Sequence, residues 1–470
     1  MSSQLSRREF LKLSASTGLA SLMPDQSRSV FDEKRLKIPL TQRPVLNPPN
    51  VLLIVMDTVR SANMSLYGYT RPTTPNLERI AKHSALFEHA ISNSPWTLPS
   101  HASMFTGYLP HQLSTNFYSP LDNTYPTLAE TLREQGYLTA GFVGNSEFCS
   151  REFGLSRGFD IYRDFQLFPG QLILGPSILN KIASSSFLRD LIDNHQLVGR
   201  RFAEQINSEF VSWLSTMDGE KPFFVFLNYC DAHDPYLPPS DYLKRFSSSN
   251  FREKLDLRKK YSLEDTHNYM DAYDGAIAYL DQQVADLFSS LEKTGQLQHT
   301  IVIMLSDHGE QFGEHGVMGH HNNLYYSTLR VPLVIYYPDR VPAGIRIENN
   351  VSLRDIPNTI FDLLGITPRT KFPGISMRKE WEKNETGLEG NSTSILSEVR
   401  KGDNPPEWWP VSRGDMRSLV MNGYHYILYG DGQEELYDCI FDPREKSDIS
   451  KYSQYQSILL NFRNEMKAAS

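Results

Sequence analysis

The sequence predicts an α/β fold: a large, mostly parallel sheet flanked by helices, followed by a small C-terminal antiparallel subdomain. Three observations carry that expectation. Short runs that are apolar on both faces recur along the chain, as strands of a covered parallel sheet require. Stretches with helical periodicity separate them, the alternation of a doubly wound sheet. From about residue 366 the pattern changes, and hairpin signals replace it.

In chain order, residues 1–30 come first. Ser6-Arg7-Arg8-Glu9-Phe10-Leu11-Lys12 resembles a twin-arginine export signal. The apolar stretch Leu13–Met23 after it is too short and too serine-rich to span a bilayer. A disordered basic tail is the plainer reading of the same residues. Export through the twin-arginine machinery implies a periplasmic or extracellular protein that crosses the membrane folded. No small-residue cleavage site stands out, which leaves a retained anchor open. Residues 31–48 are polar and proline-bearing and read as a linker.

Strands are expected at Asn50–Met56, Tyr137–Val143, Pro222–Tyr229, Thr300–Leu305 and Val331–Tyr337. A helix opens at Thr74-Pro75, with threonine as cap and proline in the first turn, and runs to about Leu86. Leu128–Gln135 forms another and stops at Gly136. Asp265–Leu291 is long and amphipathic. Residues 164–200 and 238–262 show no clear strand and read as insertions that shape the substrate entrance. In the last part, Arg417–Leu428 reads as a hairpin turning at Asn422-Gly423. Glu435-Leu436-Tyr437-Asp438 follows.

Composition narrows the function. The chain has 470 residues, 40% hydrophobic and 22% charged, enough apolar material for a large core. The net charge of −8 argues against a nucleic-acid partner. Three widely spaced cysteines, Cys149, Cys230 and Cys439, suit neither a disulfide framework nor a thiolate metal site.

Chemistry-bearing residues gather where apolar runs end, and ligands of open α/β sheets bind at the carboxyl ends of strands. Asp57 closes Asn50–Met56; alone, it reads equally as a cap of the following turn. Ser306-Asp307-His308-Gly309-Glu310 closes Thr300–Leu305. Glu314, His315, His320 and His321 follow closely, and that density favours a metal or phosphate site over a structural pair. Pro99 sits where a helix could begin, placing Thr97 just before a helix N-terminus, where partial positive charge favours an alkoxide or an anion. Thr97 or Ser100 as a simple helix cap is the competing reading. His233, after Pro222–Tyr229, could hold an anion or protonate a leaving group, or be a turn histidine without function.

Taken in register, these segments resemble the sulfatase family of the alkaline phosphatase superfamily. The likeness runs from about Asn50 to Asp442. Its motifs are NVLLIVMDTVR, the stretch from Tyr67-Gly68-Tyr69 to Thr74-Pro75-Asn76-Leu77, TLPSH, HDPYLPP, SDHGEQFGEHG, LRVPLVIYYP and EELYD. The resemblance implies a catalytic α/β domain over 49–365 and a subdomain over 366–470. It implies that Asp57, Asp307 and His308, with Thr97, hold a divalent metal ion. Thr97 then stands at the nucleophile position, and His101, Asn145, His233 and His320 act on the substrate.

Two departures from the family pattern matter. Sulfatases mature a cysteine or serine to formylglycine, followed by Pro-Ser-Arg or Pro-Ala-Arg after one residue. Here the segment is Thr97-Leu98-Pro99-Ser100-His101, and threonine cannot be converted by that route. Threonine nucleophiles occur in superfamily relatives acting on phosphate esters. The expectation is therefore hydrolysis of a phosphate or sulfate ester through a covalent Thr97 intermediate, with phosphodiester or phosphonate chemistry favoured. A sulfatase using unmodified threonine, a soluble phosphoglycerol- or phosphoethanolamine-type transferase, and an inactive binding protein of the same fold are the alternatives. Second, Thr58 replaces the usual second acidic residue, and the later pair is Asp-His rather than Asp-Asn. That shifts preference from calcium toward manganese or zinc, with a second metal left open. His320 stands where many sulfatases carry lysine. The family's Gly-Lys-Trp-His segment is replaced by Gly141-Phe142-Val143-Gly144-Asn145. The expected substrate is a small-molecule, glycan or lipid ester.

Overall fold

Strand β1 (Asn50–Met56) has no residue open to solvent and lies in the middle of an eight-stranded sheet. This computed structural model describes residues 48–164, 200–249, 255–257, 259–386 and 394–469. The export segment 1–30, the linker apart from Pro48, and nearly all of the 164–200 insertion fall outside those residues. The other strands of the sheet are β2 (Ala85–Ile91), β3 (Leu138–Val143), β4 (Ile161–Arg163), β5 (Phe223–Tyr229) and β6 (Thr300–Leu305). After a two-stranded ribbon of β7 (Gln311–Phe312) and β8 (Met318–Gly319) come β9 (Arg330–Tyr336) and β10 (Ile345–Ser352). The sheet order is β10-β2-β9-β6-β1-β5-β3-β4.

The sheet is mostly parallel, with one exception. Strand β9 runs antiparallel to both β2 and β6. The chain returns from the end of β6 without a crossover helix, and so it can only come back in the opposite direction. Two strands escape the apolar pattern. The helix at Pro75 ends at Ala81, not Leu86, and the next residues form β2. Glu88 and His89 interrupt its apolar run, and the register with β9 shifts there between Phe87 and Ala90. Strand β10 lies at the sheet edge and carries Arg346, Glu348, Asn349 and Asn350, so it has no continuous apolar face.

Helices cover the sheet. The described residues include α1 (Pro75–Ala81), α2 (Thr97–Thr106), α3 (Leu128–Glu134), α4 (Ala203–Leu214), α5 (Ser240–Leu243) and α6 (Leu263–Lys293). Short α5 falls inside the segment 238–262 expected as an insertion. Ser262 caps α6: its hydroxyl accepts from the Asp265 N–H, and the Asp265 carboxylate takes the Ser262 N–H in return.

The C-terminal sheet is antiparallel, in the order β11 (Ile395–Val399), β12 (Met416–Met421), β13 (Tyr424–Leu428) and β14 (Glu434–Asp438). The expected turn at Asn422-Gly423 joins β12 to β13, with φ of 53° and 78° at its two residues. Both must be positive in a type I′ hairpin, which is why Asn-Gly serves there. Phe372, Met377 and Trp381 pack into the core of the large sheet, so the antiparallel sheet itself starts only at Ile395. It docks beside β2: Ser397 Oγ donates to the Ser92 carbonyl (2.6 Å) and Asn93 Nδ2 to the Leu396 carbonyl (2.8 Å).

One glycine is fixed by close approach. A Cβ on Gly309 would lie 2.1 Å from the Ser327 carbonyl oxygen. Backbone cannot yield as a flexible side chain can. Gly309→Ala is expected to destabilise the fold by about 1–3 kcal/mol, read as a lower midpoint in thermal unfolding. An unchanged midpoint would mean the loop relaxes freely.

Candidate metal centre and active site

The strand ends bring the sequence-selected residues together. Asp57 follows β1, and its N–H donates to the Tyr229 carbonyl (2.8 Å) at the end of neighbouring β5. Thr58 then turns the chain with φ 64°. Its hydroxyl is 2.8 Å from the Ala232 carbonyl, and its carbonyl accepts from the Tyr273 hydroxyl of α6 (2.7 Å). Thr58 N–H points at Asp307 Oδ1 (3.2 Å). The position that carries an acid in the family pattern is thus a structural strut here.

Asp307 and His308 follow β6. The Asp307 carbonyl accepts from the hydroxyls of Ser92 and Ser100, the latter at 2.7 Å. Asp307 Oδ1 takes N–H bonds from Thr58 and His308. Asp57 Oδ2 takes the Asn145 side-chain amide at 2.7 Å. That leaves Asp57 Oδ1 and Asp307 Oδ2, both buried and without a hydrogen-bond partner. His308 Nε2 lies 3.9 Å from the first and 3.4 Å from the second. Its Nδ1 faces the Gly309 carbonyl at 3.0 Å, which fixes the N–H there and leaves a lone pair on Nε2.

Two buried carboxylate oxygens without partners, beside an imidazole lone pair, are costly unless a cation sits among them. Among the described residues, Asp57, Asp307 and His308 are the one triad whose ligand atoms converge this way. Hard oxygen and imidazole donors fit a divalent metal. The electrostatics agree. Burial, with the Asp57 charge added, pushes the Asp307 carboxyl well above the usual range in the metal-free protein. Burial also lowers the His308 pKa and keeps it a neutral ligand.

Thr97 is the first residue of α2, not the residue before it. Proline is tolerated at the third position because N–H groups of the first turn have no partner within the helix. Trp96 is the cap residue, and no side chain caps this end. Thr97 Oγ1 lies instead 3.2 Å from His308 Nε2. Neither Thr97 nor Ser100 serves as a cap, since Ser100 is spent on Asp307.

The remaining expected residues divide in two. His101 sits one turn along α2, behind the carboxylates. Its Nδ1 is 2.8 Å from the Thr97 carbonyl and 3.5 Å from Asp307 Oδ2, and its ring packs on Phe105 and Phe226. Asn145 follows β3; its amide holds Asp57, and its oxygen accepts from Phe148 N–H (3.0 Å). His233 and His320 lie on the other side. Their rings are 5.0 Å apart, and His320 is 4.5 Å from the His308 ring. His233 Nδ1 faces the Asp234 carbonyl (2.8 Å), and its Nε2 is unpartnered. Thr97 itself is fully enclosed, and the neighbouring His233 and His321 are half-buried.

Not every acid and histidine of the dense segment belongs to the site. His315 stacks on Tyr325 (3.6 Å between centroids), and Glu314 pairs with Arg60. His321, at φ 63°, packs its ring against Trp96 and Trp409. Sequence reasoning missed the role of Glu310. It is fully buried, accepts from the Tyr236 hydroxyl (2.8 Å), and lies 3.1 Å from His320 Nδ1. Burial pushes its carboxyl up to about 7. Only its place after Asp-His-Gly hinted at this.

Known proteins resemble this chain in sequence and fold. The sulfatase family model matches residues 49–366. Mouse (Mus musculus) arylsulfatase K is 26% identical over 445 residues, covering 86% of this chain and 76% of that protein. Two solved structures share the fold. The phosphonate monoester hydrolase of Agrobacterium radiobacter has a TM-score of 0.68 at 20% identity, covering 89% of this chain and 95% of its own. A protein solved with its substrate D-glucosamine-2-N,6-O-disulfate has a TM-score of 0.71 at 19% identity, covering 90% and 97%.

Purified protein is expected to carry a divalent ion in stoichiometric amount by elemental analysis. Asp307→Asn should weaken its binding by more than about 10-fold. The sign with pH follows from Asp307. Its folded, metal-free pKa is raised, so the metal-free protein loses stability as pH rises from the ordinary carboxylate range toward the raised value. Metal needs the ionised carboxylates and so binds better over the same window. The gap in melting temperature between metal-loaded and chelated protein should widen with pH; a constant gap would contradict ligation by these carboxylates.

Proposed function

The chain belongs to the sulfatase family of the alkaline phosphatase superfamily and is an ester hydrolase; on that premise we propose that Thr97 is its nucleophile and that phosphodiesters or phosphonate monoesters are its favoured substrates. The observation that carries this reading is the position of Thr97 Oγ1, 3.2 Å from His308 Nε2 at the first residue of a helix. A hydroxyl there faces the ligand triad and the positive end of the helix, both of which favour its ionised form.

In this reading Asp57, Asp307, His308 and Thr97 hold one divalent cation, manganese or zinc before calcium given the imidazole in the donor set. When bound, that ion supplies Lewis acidity to the hydroxyl and to a non-bridging oxygen of the ester. The chain's own groups do the rest. Thr97 Oγ forms a bond to phosphorus or sulfur as the ester oxygen departs. His233 and His320, whose rings adjoin each other with His320 beside His308, offer hydrogen bonds to the ester oxygens. His101 and Asn145 are positioning residues, since their polar atoms are engaged with Thr97, Asp307 and Asp57. Water entering from the His233 side then cleaves the threonine ester.

Threonine decides between phosphate and sulfate. A formylglycine hydrate expels sulfate by collapse of its geminal diol, and a threonine sulfo-ester has no such exit. Direct attack at phosphorus is the route left open, and the fold shared with a phosphonate monoester hydrolase is compatible with it. Sulfate-ester hydrolysis by unmodified threonine is the second reading, kept by the likeness to arylsulfatase K. The N-terminal twin-arginine pattern places the enzyme outside the cytoplasm in this proposal. Among the described residues no helix is long and apolar enough to cross a membrane.

Parallel assays on an aryl sulfate, a phosphate monoester, a phosphodiester and a phosphonate monoester test the substrate class, with the last two expected to turn over fastest. Thr97→Ala should cost at least about 10³-fold in turnover with metal still bound. A near-normal rate in that variant would rule out the covalent route.

A further inference from the structure

Glu310 is fully buried two residues beyond His308, yet it lies outside the converging triad. A buried carboxylate needs partners. Arg60, the nearby guanidinium, bonds the Glu310 carbonyl oxygen (3.0 Å) and the Glu314 carboxylate rather than the Glu310 side chain. The Glu310 carboxylate instead faces Tyr236 Oη at 2.8 Å and His320 Nδ1 at 3.1 Å. Tyr236 comes from the same loop as His233, and Glu310 from the same loop as His308. The two loops that carry site histidines thus also build a clamp behind a third.

The clamp determines which atom of His320 is free. With Nδ1 engaged by Glu310, Nε2 is left for the substrate, in a ring 4.5 Å from His308 and 5.0 Å from His233. His233 differs: its Nδ1 rests on a neutral carbonyl, which cannot balance charge on the ring as a carboxylate does. Resting on the reading of Thr97 as nucleophile, we propose that Glu310 is a positioning residue that holds His320 so that Nε2–H protonates the departing ester oxygen. In that step ionised Thr97 Oγ, its proton already given up to solvent, forms the bond to phosphorus or sulfur as the bond to the ester oxygen breaks. His320 enters as the imidazolium; the departing oxygen keeps the electron pair and takes the Nε2 proton, which leaves His320 neutral with Nδ1–H still bonded to the Glu310 carboxylate.

A leaving-group series, from nitrophenol to simple alcohols, tests this in parent, Glu310→Gln, Tyr236→Phe, His320→Ala and the Glu310→Gln/His320→Ala double variant. Glu310→Gln should lower kcat on the order of 10-fold or more for alcohol leaving groups. For nitrophenol, which needs no proton to depart, it should change little, with KM nearly constant. Tyr236→Phe should act in the same direction but less, and it decides the matter if Glu310→Gln does not fold. In the His320→Ala background, Glu310→Gln should add no further loss. An equal loss for every leaving group, or an undiminished loss without His320, would overturn the positioning role. Thr97→Ala in the same series keeps the claims apart: if it stays active, the nucleophile assignment falls whatever Glu310 does.

Discussion

Two buried acidic side chains converge, each with one oxygen that no hydrogen-bond donor reaches, and the rest of the site is arranged around that conflict. Asp57 and Asp307 end adjacent strands of the sheet's centre, and both are fully buried. Like charges in a poorly polarisable interior repel strongly, and among the described residues the ion-pair contacts of these two are with histidines, not with Lys or Arg. Each has one oxygen satisfied, by Asn145 or by backbone N–H groups, and one left bare. A cation is the physical resolution. The supporting bonds hold the ligands in one orientation before any ion arrives: Ser92 and Ser100 on Asp307, Tyr273 on Thr58, and the Gly309 carbonyl on His308.

Topology explains why residues so distant in sequence meet. Strands β1, β2, β3, β5 and β6 point the same way, so Asp57, the Ser92–Thr97 segment, Asn145, His233 and Asp307 emerge at one edge. The single reversed strand, β9, returns from that edge after the loop bearing Glu310, His320 and His321. The C-terminal sheet docks on Ser92 and Asn93, a few residues before Thr97, and Trp409 reaches His321. Both sheets therefore take part in placing Thr97.

The sequence was most legible where burial is symmetric. Strands β1, β5 and β6 are apolar on both faces, and their ends were placed to within a residue. Strand β2 was hidden because Glu88 and His89 sit at an irregularity in its pairing, and β10 because an edge strand exposes one side. For the site, Asp57, Thr97, Asp307 and His308 were recognisable by their register, and they converge. Direction was not recognisable. Nothing local shows that His101 packs on Phe105 and Phe226 while His320 turns to His308 and His233, because helix phase and sheet packing set both. The Glu310–His320 contact depends on a loop folding back over ten residues, and no periodicity encodes that.

A threonine at the position that the resemblance gives to formylglycine would alter the chemistry more than the architecture. The helix, the ligand triad and the strand ends form one frame, within which the proposed covalent intermediate would be released by water. The proposed chemistry requires one ion between Asp57 and Asp307, in contact with the Thr97 hydroxyl. Anomalous diffraction from crystals of the metal-loaded protein, collected on both sides of the metal's absorption edge, addresses this directly. The expected result is a single strong peak bounded by Asp57 Oδ1, Asp307 Oδ2, His308 Nε2 and Thr97 Oγ1. No peak there in fully loaded crystals, or one that leaves Thr97 out of reach, would contradict it.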